Sequence, residues 1–158
     1  MSLSKASSTA YRFYEPSAEP AGIDESALRR ARSAIDKLKN AYLTEWAPAA
    51  VDELERVLRY AASSIELAPE NLNAAYRLAH DMKGQGATFG FDLLSEFGEA
   101  LVSMTYERDE ATPAEIDAML AYTFAARSVI EQRLDDPYCK AAMAVRSKLD
   151  TALKSSFH

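Results

Sequence analysis

The sequence predicts an all-α protein, an antiparallel four-helix bundle with an additional helix at each end, on three observations. Apolar residues recur at steps of three and four almost without interruption from Asp24 onward, the period of amphipathic helices. Prolines at 48, 69, 113 and 137 punctuate that pattern, as they do where helices begin. Nothing in the chain reads as a strand. Segments of roughly 16 to 22 residues joined by short turns fit helices about 25 to 33 Å long at 1.5 Å per residue.

Residues 1–22 show no sustained period and carry Pro16, Pro20 and Gly22, so they read as a flexible N-terminal arm. A Tyr11-Arg-Phe-Tyr14 cluster within it offers aromatic rings for docking. Residues 23–158 read as one helical domain with its core at about 48–134. Asp24 can cap a first helix whose apolar positions are Leu28, Ala31, Ile35, Leu38 and Tyr42. Pro48 breaks or starts the next segment, a second helix striped by Val51, Leu54, Leu58, Ala61 and Ile65. Pro69 and Glu70 open a third, because proline lacks the N–H that a helix start leaves unpaired and glutamate suits the positive end of the dipole. Its core stripe is Leu72, Ala75, Ala79, Met82, Gly86 and Phe89, with Gly90 as the stop. Leu93, Leu94, Phe97, Leu101 and Met104 mark a fourth helix ending near Arg108. Thr112-Pro-Ala-Glu115 has the form of a capping box and opens a fifth, buried through Ile116, Met119, Thr123, Ala126, Ile130 and Leu134. Asp136-Pro137 repeats a start signal for a sixth, with Tyr138, Ala141, Val145, Lys148, Leu149 and Leu153 on its stripe. Trp46 reads as core packing and Cys139 as structural.

Composition narrows the function. The chain has 158 residues, 48% of them hydrophobic, and a formal net charge of -6; that acidity argues against nucleic acid or an anionic membrane as partner. A lone cysteine permits no internal disulfide, and no Cys/His cluster has metal-ligand spacing. The first 20 residues hold no apolar run of a signal peptide, and no stretch approaches the ~20 apolar residues of a membrane span. A cytoplasmic protein that uses a protein partner or a small ligand is the expectation.

The third helix carries the chemistry. His80, Lys83, Gly84 and Ala87 fall at i, i+3, i+4 and i+7, so they share one face, and His80 lies one step of ~100° off the core stripe. Gly84 and Gly86 each cost ~1 kcal/mol against alanine inside a helix. Gly86 is on the core stripe, where close packing explains it. Gly84 is on the outward side, where its missing side chain leaves the imidazole open. A neutral imidazole nitrogen is a competent nucleophile towards an acyl phosphate, and a nearby cation stabilises the anionic product. The plainer reading of any helical histidine is a half-buried side chain bonded to a neighbour. Paired acids such as Asp135/Asp136 and Glu96/Glu99 read as solvated faces.

His80-x-x-Lys83-Gly84 with Gly90, preceded by Leu78-Ala79 and followed by Leu93-Leu94 and Leu101, resembles the signature of histidine phosphotransfer (HPt) domains of bacterial multistep phosphorelays. The resemblance covers roughly residues 48–134. It implies a four-helix bundle with the histidine on its second helix. It implies that His80 accepts a phosphoryl group from a receiver-domain phospho-aspartate and passes it to another receiver, that Lys83 stabilises the group and that Gly84 gives steric access. Gly90 would close the helix. Where the family often has Ser-Ala after Lys-Gly, this chain has Gln85-Gly86. The family often adds a polar residue from the next helix to orient the histidine, and Glu99 and Ser103 are the candidates. Tyr76, Arg77, Gln85 and Ala87 would join the partner surface. The partners implied are response-regulator receiver domains, with a hybrid histidine kinase as a further candidate. The chain would carry no cofactor, and Mg²⁺ would belong to the receiver. It would be a phosphoryl carrier more than an autonomous enzyme; nucleotide-binding boxes are absent, so ATP-dependent kinase activity is not expected. The alternative is a helical-bundle adaptor or regulator that binds a receiver domain or histidine kinase without carrying phosphate. The sequence leaves the oligomeric state open.

Overall fold

Caps and breakers divide the described residues into six α-helices and one π-helical turn: α1 (Glu25–Ala41), the π turn (Tyr42–Trp46), α2 (Ala47–Ser63), α3 (Ala68–Phe89), α4 (Asp92–Thr105), α5 (Pro113–Gln132) and α6 (Lys140–Ser156). They are seen in a computed structural model that describes residues 22 and 24–157. The arm with its Tyr11–Tyr14 cluster lies, but for Gly22, outside the described residues. The described residues fall into two units divided between Lys37 and Leu38.

In the first unit the described part is the start of α1. Asp24 caps it, its Oδ1 accepting from the Ser26 N–H at 3.0 Å. The stripe expected to be buried there is not: no residue of α1 is buried, and Ile35 is 59% exposed. A periodic apolar stripe reports that a helix is amphipathic and not that a surface covers it.

The second unit begins at the end of α1, and Pro48 stands at the start of α2 as expected, with no break in the helical backbone before it. Trp46 and Ala47 both keep right-handed helical dihedrals, and the Ala47 N–H donates to the Tyr42 carbonyl, five residues back. Proline lacks an N–H and its ring crowds the carbonyl four residues earlier. A wider π turn just ahead changes the hydrogen-bond register there, so Pro48 sits in the first turn of α2. The same turn leaves Trp46 49% exposed, against the expectation of core packing, and buries Tyr42 instead. The Tyr42 ring stacks on Phe89 at 4.7 Å, and burial pushes its phenol up to about 12.

Helices α2 to α5 close a ring: α3 packs on α2 and α4, and α5 packs on α2 and α4. Connections of a few residues make sequence neighbours antiparallel. The interior is built from Leu54, Leu58, Leu72, Leu93, Leu94, Phe97, Leu101 and Met119, all buried. Buried Thr105 and Thr123 donate their hydroxyls to the carbonyls of Leu101 and Met119 at 2.7 and 2.8 Å, so neither leaves a polar atom unpaired. The capping box of α5 forms in full, with Thr112 and Glu115 each accepting from the other's backbone N–H. Two stripe ends depart from expectation. Helix α2 stops at Ser63, whose successor Ser64 is extended, so Ile65 lies in the turn and is 83% exposed. Asp136 accepts from the Tyr138 N–H at 2.9 Å and so makes a turn, not a helix cap. Cys139 caps α6 in its place, its sulfur accepting from the Ala142 N–H, and Tyr138 and Lys148 are exposed. Helix α6 packs on α5 and is tied to α4 by a two-pronged Arg146–Glu96 pair at 2.6 and 2.7 Å.

Candidate functional site

Helix α3 has two faces of opposite character. Leu72, Ala75, Ala79, Met82 and Gly86 are buried, as the stripe requires. Phe89, the last of that series, is partly buried and packs on the core. One step around the helix, His80, Gly84 and Ala87 are exposed together with Arg77, Asp81 and Gln85. Tyr76 and Lys83 flank them half-buried.

The three glycines of this region have three different causes. A Cβ on Gly84 would meet nothing within 4 Å among the described residues, so they leave the space beside His80 open. A Cβ on Gly86 would stand 2.8 Å from the Ser95 nitrogen and 3.0 Å from the Leu94 Cβ, so its absence sets how closely α3 and α4 approach. Gly90 takes φ +81°, the left-handed region that favours glycine. Its N–H donates to the Ala87 carbonyl and the Phe91 N–H to the Gly86 carbonyl at 2.8 Å, the double bond of a Schellman motif. Helix α3 therefore ends where Gly90 was expected to end it.

A fourth glycine escaped the sequence reading. A Cβ on Gly98 of α4 would lie 2.7 Å from the Lys83 nitrogen, 2.9 Å from its Cα and 3.0 Å from the Ala79 carbonyl oxygen. The α4 backbone thus lies against the turn of α3 that bears His80 and Lys83. The signal was present as a lone glycine among good helix formers, but its facing partner depends on the helix register.

The groups around the imidazole are set by these contacts. The Tyr76 ring lies 6.1 Å from the His80 ring at 40°, and Tyr106, just beyond α4, lies 5.6 Å from Tyr76. Tyr76, one turn before the histidine, therefore forms an aromatic wall on one side, backed by Tyr106. Tyr76, Arg77, His80 and Asp81 line a shallow hollow of about 240 Å³. Beyond Tyr76 the hollow gives onto a wider groove of about 680 Å³ lined by Pro69, Asn73, Tyr106 and Arg108. The hydrogen bond that the Tyr106 phenol donates to the Glu107 carboxylate holds it above its usual range.

Neither candidate orienting residue bonds to the imidazole among the described residues. Glu99 pairs with the Lys83 ammonium, and the Ser103 hydroxyl donates to the Glu99 carbonyl at 3.1 Å. The structure therefore brings together His80, Lys83, Gly84, Ala87, Tyr76 and Arg77, with Gln85 on the margin towards α2. Gln85 and Asp81 share with Trp46 and Leu78 a separate hollow of about 150 Å³.

An exposed imidazole with open space on one side, an aromatic wall on another and a cation one turn away can act as a nucleophile towards a bulky electrophile that arrives on another protein. Among the described residues no group of three or more His, Cys, Asp or Glu side chains could hold a metal ion. None of the described helices is long and apolar enough to cross a membrane. Residues 28–136 match the model of the Hpt domain family, described as "Hpt domain". No curated protein and no solved structure matches the chain.

Proposed function

From the premise that the chain belongs to the Hpt domain family, the histidine phosphotransfer domains of phosphorelays, we propose that His80 is its phosphoacceptor. The observation that carries this reading is the exposure of His80 beside the empty space at Gly84, one turn from Lys83. The Nε2 lone pair attacks the phosphorus of a receiver domain's phospho-aspartate. The P–N bond forms as the acyl-phosphate P–O bond breaks, and the bonding pair leaves on the aspartate carboxylate. The Nδ1 proton stays on the ring. Attack by the aspartate of a second receiver reverses these changes and completes the relay.

The surroundings of His80 support roles for the residues beside it. Lys83 supplies positive charge to the phosphoryl oxygens, since hydrogen bonds between ions are the strong ones. Gly84 and Ala87 leave room for the receiver. Tyr76 restricts the imidazole to rotamers that point outward, and with Arg77 and Gln85 it belongs to the docking surface. The chain is a cytoplasmic carrier between receiver domains, with a hybrid histidine kinase as an upstream partner. It needs no cofactor of its own; Mg²⁺ sits in the receiver's acidic pocket.

The test is incubation with a phosphorylated receiver domain. Wild-type protein gains acid-labile phosphate, and His80→Gln gains none while its helical content and melting temperature are unchanged. Equal labelling of His80→Gln would overturn the assignment. Receiver binding with no loss of phosphate from the receiver would favour a non-phosphorylated adaptor instead.

A further inference from the structure

Lys83 already has a partner. Its ammonium pairs with the Glu99 carboxylate of α4, both side chains about half exposed, at 45% and 55%. The pairing is fixed from the backbone, because Gly98, the residue before Glu99, lies against the Lys83 nitrogen and Cα with no room for a Cβ between them. Ser103 donates to the Glu99 backbone carbonyl and leaves the carboxylate to Lys83. The other acid of that helix directed at a cation, Glu96, is engaged by Arg146 on α6. Glu99 is thus the carboxylate held at the turn that follows His80.

We infer that Glu99 is a positioning residue that tunes how firmly His80 holds a phosphoryl group, by competing with that group for Lys83. The inference rests on His80 being the phosphoacceptor. In the unphosphorylated protein the carboxylate neutralises the ammonium and holds it towards α4. A phosphoryl group on Nε2 brings close to two negative charges and three acceptor oxygens, and draws the ammonium to itself. The exchange sacrifices an ion pair that is weak because it is exposed, and it leaves Glu99 as an unneutralised like charge near the phosphoryl group. Both consequences make phosphohistidine less stable than Lys83 alone would make it. For a carrier this is useful, because a group held too firmly is not passed on.

The experiment measures the equilibrium partition of phosphoryl between a donor receiver and the full chain, for wild type, Glu99→Gln, Lys83→Ala and the double variant. Glu99→Gln moves the ratio about two- to fivefold towards His80, the scale of an exposed ion pair. Lys83→Ala moves it the other way, and in the Lys83→Ala background Glu99→Gln has a smaller effect, the part due to like charge alone. An unchanged ratio in Glu99→Gln, or the same shift with and without Lys83, would overturn the inference. A parallel arm needs no receiver. A His158→Asn protein, with His80 as its one histidine, is phosphorylated with phosphoramidate and followed by NMR. The Glu99 side-chain carboxyl signal shifts more on phosphorylation in the presence of Lys83 than in Lys83→Ala; the same shift in both proteins would contradict competition. Labelling by the receiver that survives His80→Gln defeats the functional reading, whereas the phosphoramidate arm still decides the role of Glu99.

Discussion

Gly84 and Gly86 stand two residues apart on one helix and are absent side chains for opposite reasons. At Gly86 the neighbouring helix occupies the space, with the Ser95 nitrogen 2.8 Å from where a Cβ would be. At Gly84 nothing among the described residues lies within 4 Å. The helix accepts two poor helix formers, one to let α4 approach and one with no structural return in the folded chain. A cost of ~1 kcal/mol that packing among the described residues does not recover fits a role in docking, and His80 one turn away gives that role its chemistry.

The contrast can be broken by substitution. The largest effect is expected at Gly86→Leu, which forces α3 and α4 apart or α3 out of register; overpacking of this kind costs about 3 kcal/mol or more. Urea unfolding should show a lower midpoint. A midpoint like wild type would mean that the two helices separate freely and that the buried face is not close-packed.

The buried face should also report itself in alkali. The Tyr42 phenol, stacked on Phe89 at the end of α3, is pushed up to about 12 by burial, against ~10 in the unfolded chain. The group is raised, so its contribution is complete below pH ~10. It falls as pH rises towards 12, because the unfolded chain releases the proton first. Two pH units correspond to about 2 to 3 kcal/mol. Tyr42→Phe should flatten that part of the stability profile; an equally steep decline in the variant would assign the loss elsewhere.

The smallest effect on folding and the most telling effect on function belong to Gly84. Gly84→Gln should raise stability by up to about 1 kcal/mol, as a better helix former in open space does. It should slow phosphoryl acceptance by about tenfold, since small misplacements at a reacting centre can cost more than that. Transfer at the wild-type rate would show that the clearing beside His80 is not needed, and the contrast between the glycines would reduce to packing alone.

The buried face of α3 was legible because a period of 3.6 specifies which residues share a side, and Leu72, Ala75, Ala79, Met82 and Gly86 all fell inside. Thr112-Pro-Ala-Glu115 was equally readable, since a capping box is local chemistry within four residues. What failed depended on partners distant in sequence or on backbone register. The α1 stripe is periodic yet exposed. Pro48 stands in the first turn of α2 as a start signal should, but the π turn before it was not legible. Asp136 has the composition of a cap and makes a turn. At the site, His80, Lys83 and Gly84 were found from spacing on one helix. The facing contributions of Gly98, Glu99 and Tyr106 required the α3–α4 register, and Glu99, a candidate to orient the imidazole, pairs with Lys83 instead.

The most direct measurement is NMR of the protein, labelled with ¹⁵N in histidine, after reaction with a phosphorylated receiver domain. The account predicts a single phosphoramidate phosphorus signal, coupled to Nε2 of His80, that disappears when a second unphosphorylated receiver is added. A phosphorus signal on His158, or loss of phosphate from the receiver with no P–N signal on this protein, would contradict it.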